Sequence, residues 1–164
     1  MPDTSDSTQK CLAPGRLTDM APQLPRPLVF TNGVFDLLHV GHVSCLETAA
    51  RLGSCLVVAL NGDASAAALG KAGWAGTRPL NTLAHRARVV GALACVSWVT
   101  WFDEATPAAL LAALQPDVYV KGGDYDIEQL PETPLVRGWG GRVVIAPYLA
   151  GHSTTRLLAR VQAA

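Results

Sequence analysis

The chain is predicted to be an α/β protein: a three-layer α/β/α, doubly wound (Rossmann-like) parallel sheet. Three observations predict it. Five short runs are continuously apolar, as strands covered on both faces must be. The segments between them carry apolar residues at helical spacing. Several of the runs give way to glycine, asparagine or aspartate, where the chain leaves the sheet.

Residues 1–26 are rich in Pro, Ser, Thr and Asp and show no period. They are expected to form a flexible N-terminal extension, with the folded domain over 27–164. Residues 28–31 read as a buried strand closed by an Asn32-Gly33 turn. Residues 41–52 place Val43, Leu46, Ala49 and Ala50 at helical spacing. A second strand covers 55–60 and a short helix 64–69. Residues 70–77 form a glycine-rich loop containing Lys71 and Trp74. A helix over 83–93, a third strand over 96–101 and a helix over 107–114, with proline in its first turn, come next. The fourth strand, 117–120, runs into Lys121-Gly122-Gly123-Asp124. A helix over 135–139 and a fifth strand over 142–146 precede a last helix, 153–161, capped by Ser153 or Thr154. Sheets of this kind bind ligands beyond the carboxyl ends of their strands, near the switch point in strand order. The segments after the first, fourth and fifth strands are therefore where a site is expected.

Composition narrows the function. With 49% hydrophobic and 16% charged residues over 164 positions, the chain can bury a core. Lysine plus arginine balances aspartate plus glutamate at 13 each. No basic excess argues for a nucleic acid or a membrane surface as partner. An anionic ligand must be held by a local cluster. The longest apolar stretch, 89–102, is interrupted by serine and threonine and is shorter than the ~20 residues a spanning helix needs. The first ten residues lack the apolar core of a secretory signal. Cys11, Cys45, Cys55 and Cys95 form no C-x-x-C pair and read as free thiols of a reducing compartment. A soluble, cytoplasmic protein is expected.

His39 and His42 stand three residues apart where the first strand's loop enters the first helix, so both side chains share a face of its first turn. Gly41 between them lets a phosphate approach the backbone. The helix start adds unpaired N–H groups and the positive end of the macrodipole. Together these form a local anion site. From spacing alone, two surface histidines beside a helix cap read equally well. A zinc pair fits less well, since metalloprotease histidines sit at i,i+4 around a glutamate and no third ligand is evident; no metal site is assigned.

The run Thr31-Asn32-Gly33-Val34-Phe35-Asp36-Leu37-Leu38-His39-Val40-Gly41-His42 resembles the signature of the cytidylyltransferase-like nucleotidyltransferases. Three further stretches agree in order and spacing: Arg78-Pro79-Leu80-Asn81 followed by Arg86, then Val120 to Tyr125, then Gly151-His152-Ser153-Thr154-Thr155-Arg156. The Lys-Gly-Gly-Asp and Ser-Thr-Thr segments are similar to those of the adenylyltransferase half of bifunctional heptose kinase/heptose 1-phosphate adenylyltransferases. The resemblance implies adenylyl transfer from ATP, with Mg²⁺, to D-glycero-β-D-manno-heptose 1-phosphate, giving ADP-heptose, a lipopolysaccharide precursor, and pyrophosphate. It also implies a homodimer and a separate heptose kinase. It places His39, His42, Lys71 and Arg86 in the chemistry. Thr31, Asn32, Gly33, Phe35, Gly41, His42, Lys121, Gly123, Asp124, Ser153, Thr154 and Thr155 fall to the nucleotide, and Asp36, Asp63 and Lys71 to the sugar phosphate. Two features depart from the family pattern. The loop 70–77 is longer than the usual Lys-Gly-Pro-Gly-Arg-Pro stretch, and His85 stands where an acidic partner for Arg86 is expected.

Several of these residues have plainer readings as well. Ser153 or Thr154 can be an ordinary cap, Lys71 a solvated loop lysine, Arg86 a surface charge, Asp124 a turn residue and Asp36 an orienter of its loop. The nucleophile of such a reaction is a phosphate monoester, already charged at neutral pH, so no general base is required. Catalysis then rests on positioning and charge stabilisation. Two other functions stay open: a glycerol-3-phosphate cytidylyltransferase, disfavoured because Tyr148 to Gly151 lacks that group's arginine and glutamate, and a non-catalytic nucleotide-binding module.

Overall fold

The computed structural model describes residues 6–70, 78–147, 149, 151–152 and 154–162. Its centre is a parallel sheet of β1 (Leu28–Gly33), β2 (Cys55–Asn61), β3 (Trp98–Phe102), β4 (Val118–Gly122) and β5 (Arg142–Ala146), in the order β3-β2-β1-β4-β5. The chain runs outward from β1 to β3, then returns to the other side of β1 to begin β4. The switch point therefore lies between the carboxyl ends of β1 and β4.

Side chains alternate between two cores, because successive strand residues face opposite sides of the sheet. Leu28, Phe30, Val57, Ala59 and Tyr119 face α1 (Pro14–Asp19), α5 (Ala108–Leu114) and α6 (Thr133–Gly138). Val29, Leu56, Val58, Leu60 and Val120 face α2 (Val40–Ala50) and α4 (Leu83–Gly91). All seven residues of β2 are buried, which is why it reads as an unbroken apolar run. The shorter α3 (Asp63–Ala68) follows β2, and α7 (Thr154–Gln162) closes the described chain. The expected three-layer fold is the observed one.

Two expectations are corrected. The first concerns the N-terminal segment, whose described residues pack on the domain. Leu12, Leu17, Ala21 and Leu24 are buried in the core on the α1 side. Cys11 bridges Val99 in parallel, and the Leu12 N–H donates to the Val99 carbonyl at 2.9 Å, so the segment covers the edge of β3. The buried Lys10 ammonium donates to the carbonyls of Leu93 (3.2 Å) and Val96 (2.9 Å), just past α4. The spacing of Leu17, Ala21 and Leu24 was the available signal; the surrounding proline and serine masked it.

The second correction concerns strand ends. Asn32 and Gly33 pair with Ala59 and Leu60 as part of β1, and Lys121 and Gly122 pair with Ile145 and Ala146 as part of β4. Pairing with formed neighbours outweighs the turn preference of these residues. Asn32 and Lys121 thereby stand on rigid strands at the switch point.

Candidate active site

A cavity of about 420 Å³ opens beyond the ends of β1 and β4. Its walls include Thr31, Asn32, Gly33 and Phe35 from β1 and its loop, and His39, Gly41 and His42 from the start of α2. Lys121 and Gly123 come from the end of β4, and Thr154 from the start of α7. These residues, far apart in the chain, were singled out from sequence, and the fold brings them together.

The histidine wall is built from the helix end upward. His39 is the N-cap of α2, with extended backbone, and the His42 N–H donates to its carbonyl at 2.9 Å. The two imidazoles stack with centroids 3.8 Å apart and planes inclined by 24°. The Phe35 ring lies 5.1 Å from the His42 ring, so the three rings form a short pile. Phe35 adopts φ of 49°, a left-handed conformation that turns its ring back under Gly33. A Cβ on Gly41 would stand 3.0 Å from the His39 ring and 3.3 Å from the His152 carbonyl. Glycine there lets the approach to α7 close against α2. The starts of α2 and α7 both line this cavity, and the positive ends of their helix dipoles favour an anion.

A second part of the lining is polar and largely buried. Tyr119 donates its hydroxyl to Asn32 Oδ1 at 2.7 Å. The Lys121 ammonium donates to Asn32 Oδ1 at 3.2 Å and to the Tyr119 hydroxyl oxygen at 3.1 Å. Burial pushes the Lys121 pKa down, and the negative charge of Glu132 pulls it partly back. Burial, and then the Glu132 charge, raises the Tyr119 hydroxyl far above its ordinary range. Glu132 itself is buried and lines the cavity, as does Tyr125. Sequence reading missed Tyr119, Tyr125 and Glu132. Tyr119 looked like an ordinary strand residue, and nothing in Pro131-Glu132-Thr133-Pro134 sets its glutamate apart from a loop charge.

Five other expected residues stand elsewhere. Arg86 is fully buried, and each guanidinium nitrogen is engaged by protein: Nη1 by the Val34 carbonyl (2.7 Å), Nε by the Asn81 carbonyl (3.0 Å) and Nη2 by Asp63 Oδ1 (2.7 Å). Asp63 on α3 therefore supplies the acidic partner that position 85 does not, rather than lining this cavity. The Asp36 carboxylate accepts the N–H groups of Leu80 and Asn81, each at 2.8 Å, and Asn81 Nδ2 returns a bond to the Asp36 carbonyl at 2.9 Å. Of its readings, the loop orienter is what these bonds describe. Asp124 and Thr155 are exposed and lie outside the wall of this cavity. Lys71 and Ser153 lie outside the described residues.

The arrangement can hold a polyanion at the histidine wall and a polar, uncharged group at the Lys121–Glu132 wall. A family model for cytidylyltransferase-like proteins matches residues 30–157, and the chain belongs to that family of nucleotidyltransferases. It is 55% identical over 142 residues to a D-beta-D-heptose 1-phosphate adenylyltransferase of Bordetella bronchiseptica, covering 87% of this chain and 86% of that one. It is 51% identical over 160 residues to the bifunctional protein HldE of Streptomyces coelicolor, covering 98% of this chain and 32% of that longer relative. Among solved structures, the lipopolysaccharide core biosynthesis protein of Thermoplasma volcanium superposes with a TM-score of 0.59 at 26% identity, over 74% of this chain and 95% of that one. A pantoate-beta-alanine ligase of Francisella tularensis, at 11% identity and a TM-score of 0.60 over 91% of this chain and 72% of that one, shares the fold.

Proposed function

We propose that the chain transfers the adenylyl group of ATP to D-glycero-β-D-manno-heptose 1-phosphate, giving ADP-heptose and pyrophosphate. What carries the reading is the 55% identity to a heptose 1-phosphate adenylyltransferase over 86% of that relative. The cavity chemistry supports it. A phosphate oxygen of the sugar phosphate attacks the α-phosphorus, the bond from that phosphorus to the β-phosphate bridging oxygen breaks, and pyrophosphate leaves. The attacking oxygen carries no proton that must be removed, so the residues have charge to stabilise rather than a base to supply.

In this reading His39 and His42, stacked at the start of α2, donate to the phosphates and to charge developing at the α-phosphorus. Thr154, and Ser153 beside it in sequence, offer hydroxyl and backbone N–H donors to the outer phosphates. Lys121, with one ammonium donor beyond its bonds to Asn32 and Tyr119, holds a polar oxygen of a substrate. Lys71 is retained as a candidate for the leaving pyrophosphate. Arg86 and Asp36 are positioning residues: they hold the loop after β1 and the segment 78–81 in the shape that presents the histidines. Mg²⁺ is expected to arrive on the triphosphate. Among the described residues no group of three His, Cys, Asp or Glu side chains could hold a metal ion. No helix among the described residues is long and apolar enough to cross a membrane. The proposal includes a cytoplasmic location, a homodimer, testable by sedimentation, and a separate kinase that supplies the sugar phosphate.

The deciding experiment is pyrophosphate release. ATP with heptose 1-phosphate should give rapid release and ADP-heptose, whereas CTP with glycerol 3-phosphate should give none. Release from the second pair and not the first would overturn the assignment.

A further inference from the structure

Glu132 precedes α6 and lines the same cavity as the histidines. Its residue is 5% exposed, and its Oε2 is buried in the structure with no hydrogen-bond partner among the described residues. A carboxylate removed from water and left without a donor is costly to fold, so such a group in a cavity wall points to a ligand that completes it. The neighbouring Lys121 ammonium donates to Asn32 and Tyr119 rather than to Glu132. A phosphate would be repelled by Glu132 and has the helix ends to go to. The complementary group is neutral, donates a hydrogen bond, and can accept one from Lys121. A sugar hydroxyl does both.

We infer that Glu132 is a specificity residue that accepts hydrogen bonds from sugar hydroxyls of a substrate, with Lys121 donating to the same hydroxyl cluster. The inference rests on the nucleotidyl-transfer reading above for which sugars are present. Two carry suitable hydroxyls: the heptose of the acceptor and the ribose of ATP. The glutamate is thus kept at the expense of stability for the sake of recognition.

The test is calorimetric binding to wild type, Glu132→Gln and Glu132→Met, with melting temperatures alongside. Heptose 1-phosphate, ATP, 2′-deoxy-ATP and ITP are the ligands. Either heptose 1-phosphate or ATP should bind about 10- to 100-fold more weakly to both variants, the loss expected for a hydrogen bond to a charged group. A loss confined to heptose 1-phosphate assigns Glu132 to the acceptor. A loss for ATP, with discrimination against 2′-deoxy-ATP collapsing, assigns it to the ribose. Melting temperatures should stay close to that of wild type, because removing a buried carboxylate oxygen that lacks a donor offsets the loss of the Lys121 counter-charge. Unchanged binding overturns the inference. So does a lowered melting temperature with unchanged affinities, the signature of a structural Lys121–Glu132 pair. Loss of discrimination between ATP and ITP alone would assign the glutamate to the adenine amine and overturn it as well. Binding is read without turnover, so failed pyrophosphate release strikes the proposed reaction while these arms still judge Glu132.

Discussion

His42 and Arg86 are both conspicuous in sequence, yet their surroundings give them different work. His42 stacks on His39 and faces the cavity, so its removal should strike the reaction and spare the fold. His42→Ala is expected to lower kcat by about 10²- to 10³-fold, the scale for one transition-state donor. Its melting temperature should stay within about 4 °C of wild type. Turnover that survives the change would make the histidines structural. Arg86 should behave in the opposite way. Arg86→Met leaves the Val34 and Asn81 carbonyls without their donor, which should cost about 2–4 kcal/mol in urea unfolding. Arg86→Lys should recover only part of this, because one ammonium cannot span three acceptors fixed by a planar fork. The side-chain type was legible at both positions; burial and bonding partners were not.

At the scale of elements, the site depends on how closely α2 approaches the start of α7. Gly41→Ala gains about 1 kcal/mol of helix propensity but sets a methyl against the His39 ring and the His152 carbonyl. Overpacking of that kind costs about 1–3 kcal/mol, so the net change in stability should be small. Activity should still fall more than tenfold, because the ring pile and the helix approach both shift. Steady-state kinetics beside denaturant melts will separate the two effects. The N-terminal segment is the second case. Removing residues 1–26 would strip Leu12, Leu17 and Leu24 from the core, each worth about 1.5–3 kcal/mol, and bare the edge of β3. That loss rivals the whole stability of a typical domain, about 5–15 kcal/mol. The truncated chain is expected to be insoluble or unfolded by circular dichroism; a cooperative melt near wild type would contradict this.

For the whole molecule, alkaline pH is the informative condition. Burial raises the thiol pKa values of Cys11, Cys45, Cys55 and Cys95 above the ordinary 9.0, and burial raises that of Tyr119 above 10.0. The unfolded chain releases these protons first, so stability is retained below about pH 9 and falls as pH rises beyond it. Lys121 works the other way: its folded pKa lies below 10.5, so its deprotonation to the neutral amine favours the folded chain as pH rises. Five groups oppose one, and the melting temperature should fall steadily from pH 8.5 to 10.5. Below that range the thiols should react slowly with a disulfide reagent until denaturant is added.

The sequence by itself determined the layered architecture, since five unbroken apolar runs separated by helix-period segments admit few alternatives to a covered parallel sheet. It also placed His39, Gly41 and His42 together at one helix start, because they are local to a single turn; that they line a cavity was decided by the fold. Only the tertiary structure decided what depends on residues far apart in the chain. It paired Arg86 with Asp63 across 23 positions, spent Asp36 on the backbone of Leu80 and Asn81, and folded the described part of 1–26 onto the edge of β3. It also brought Glu132 into the cavity beside Lys121. A charge's role is set by what faces it once the chain is packed, and local spacing carries no record of that.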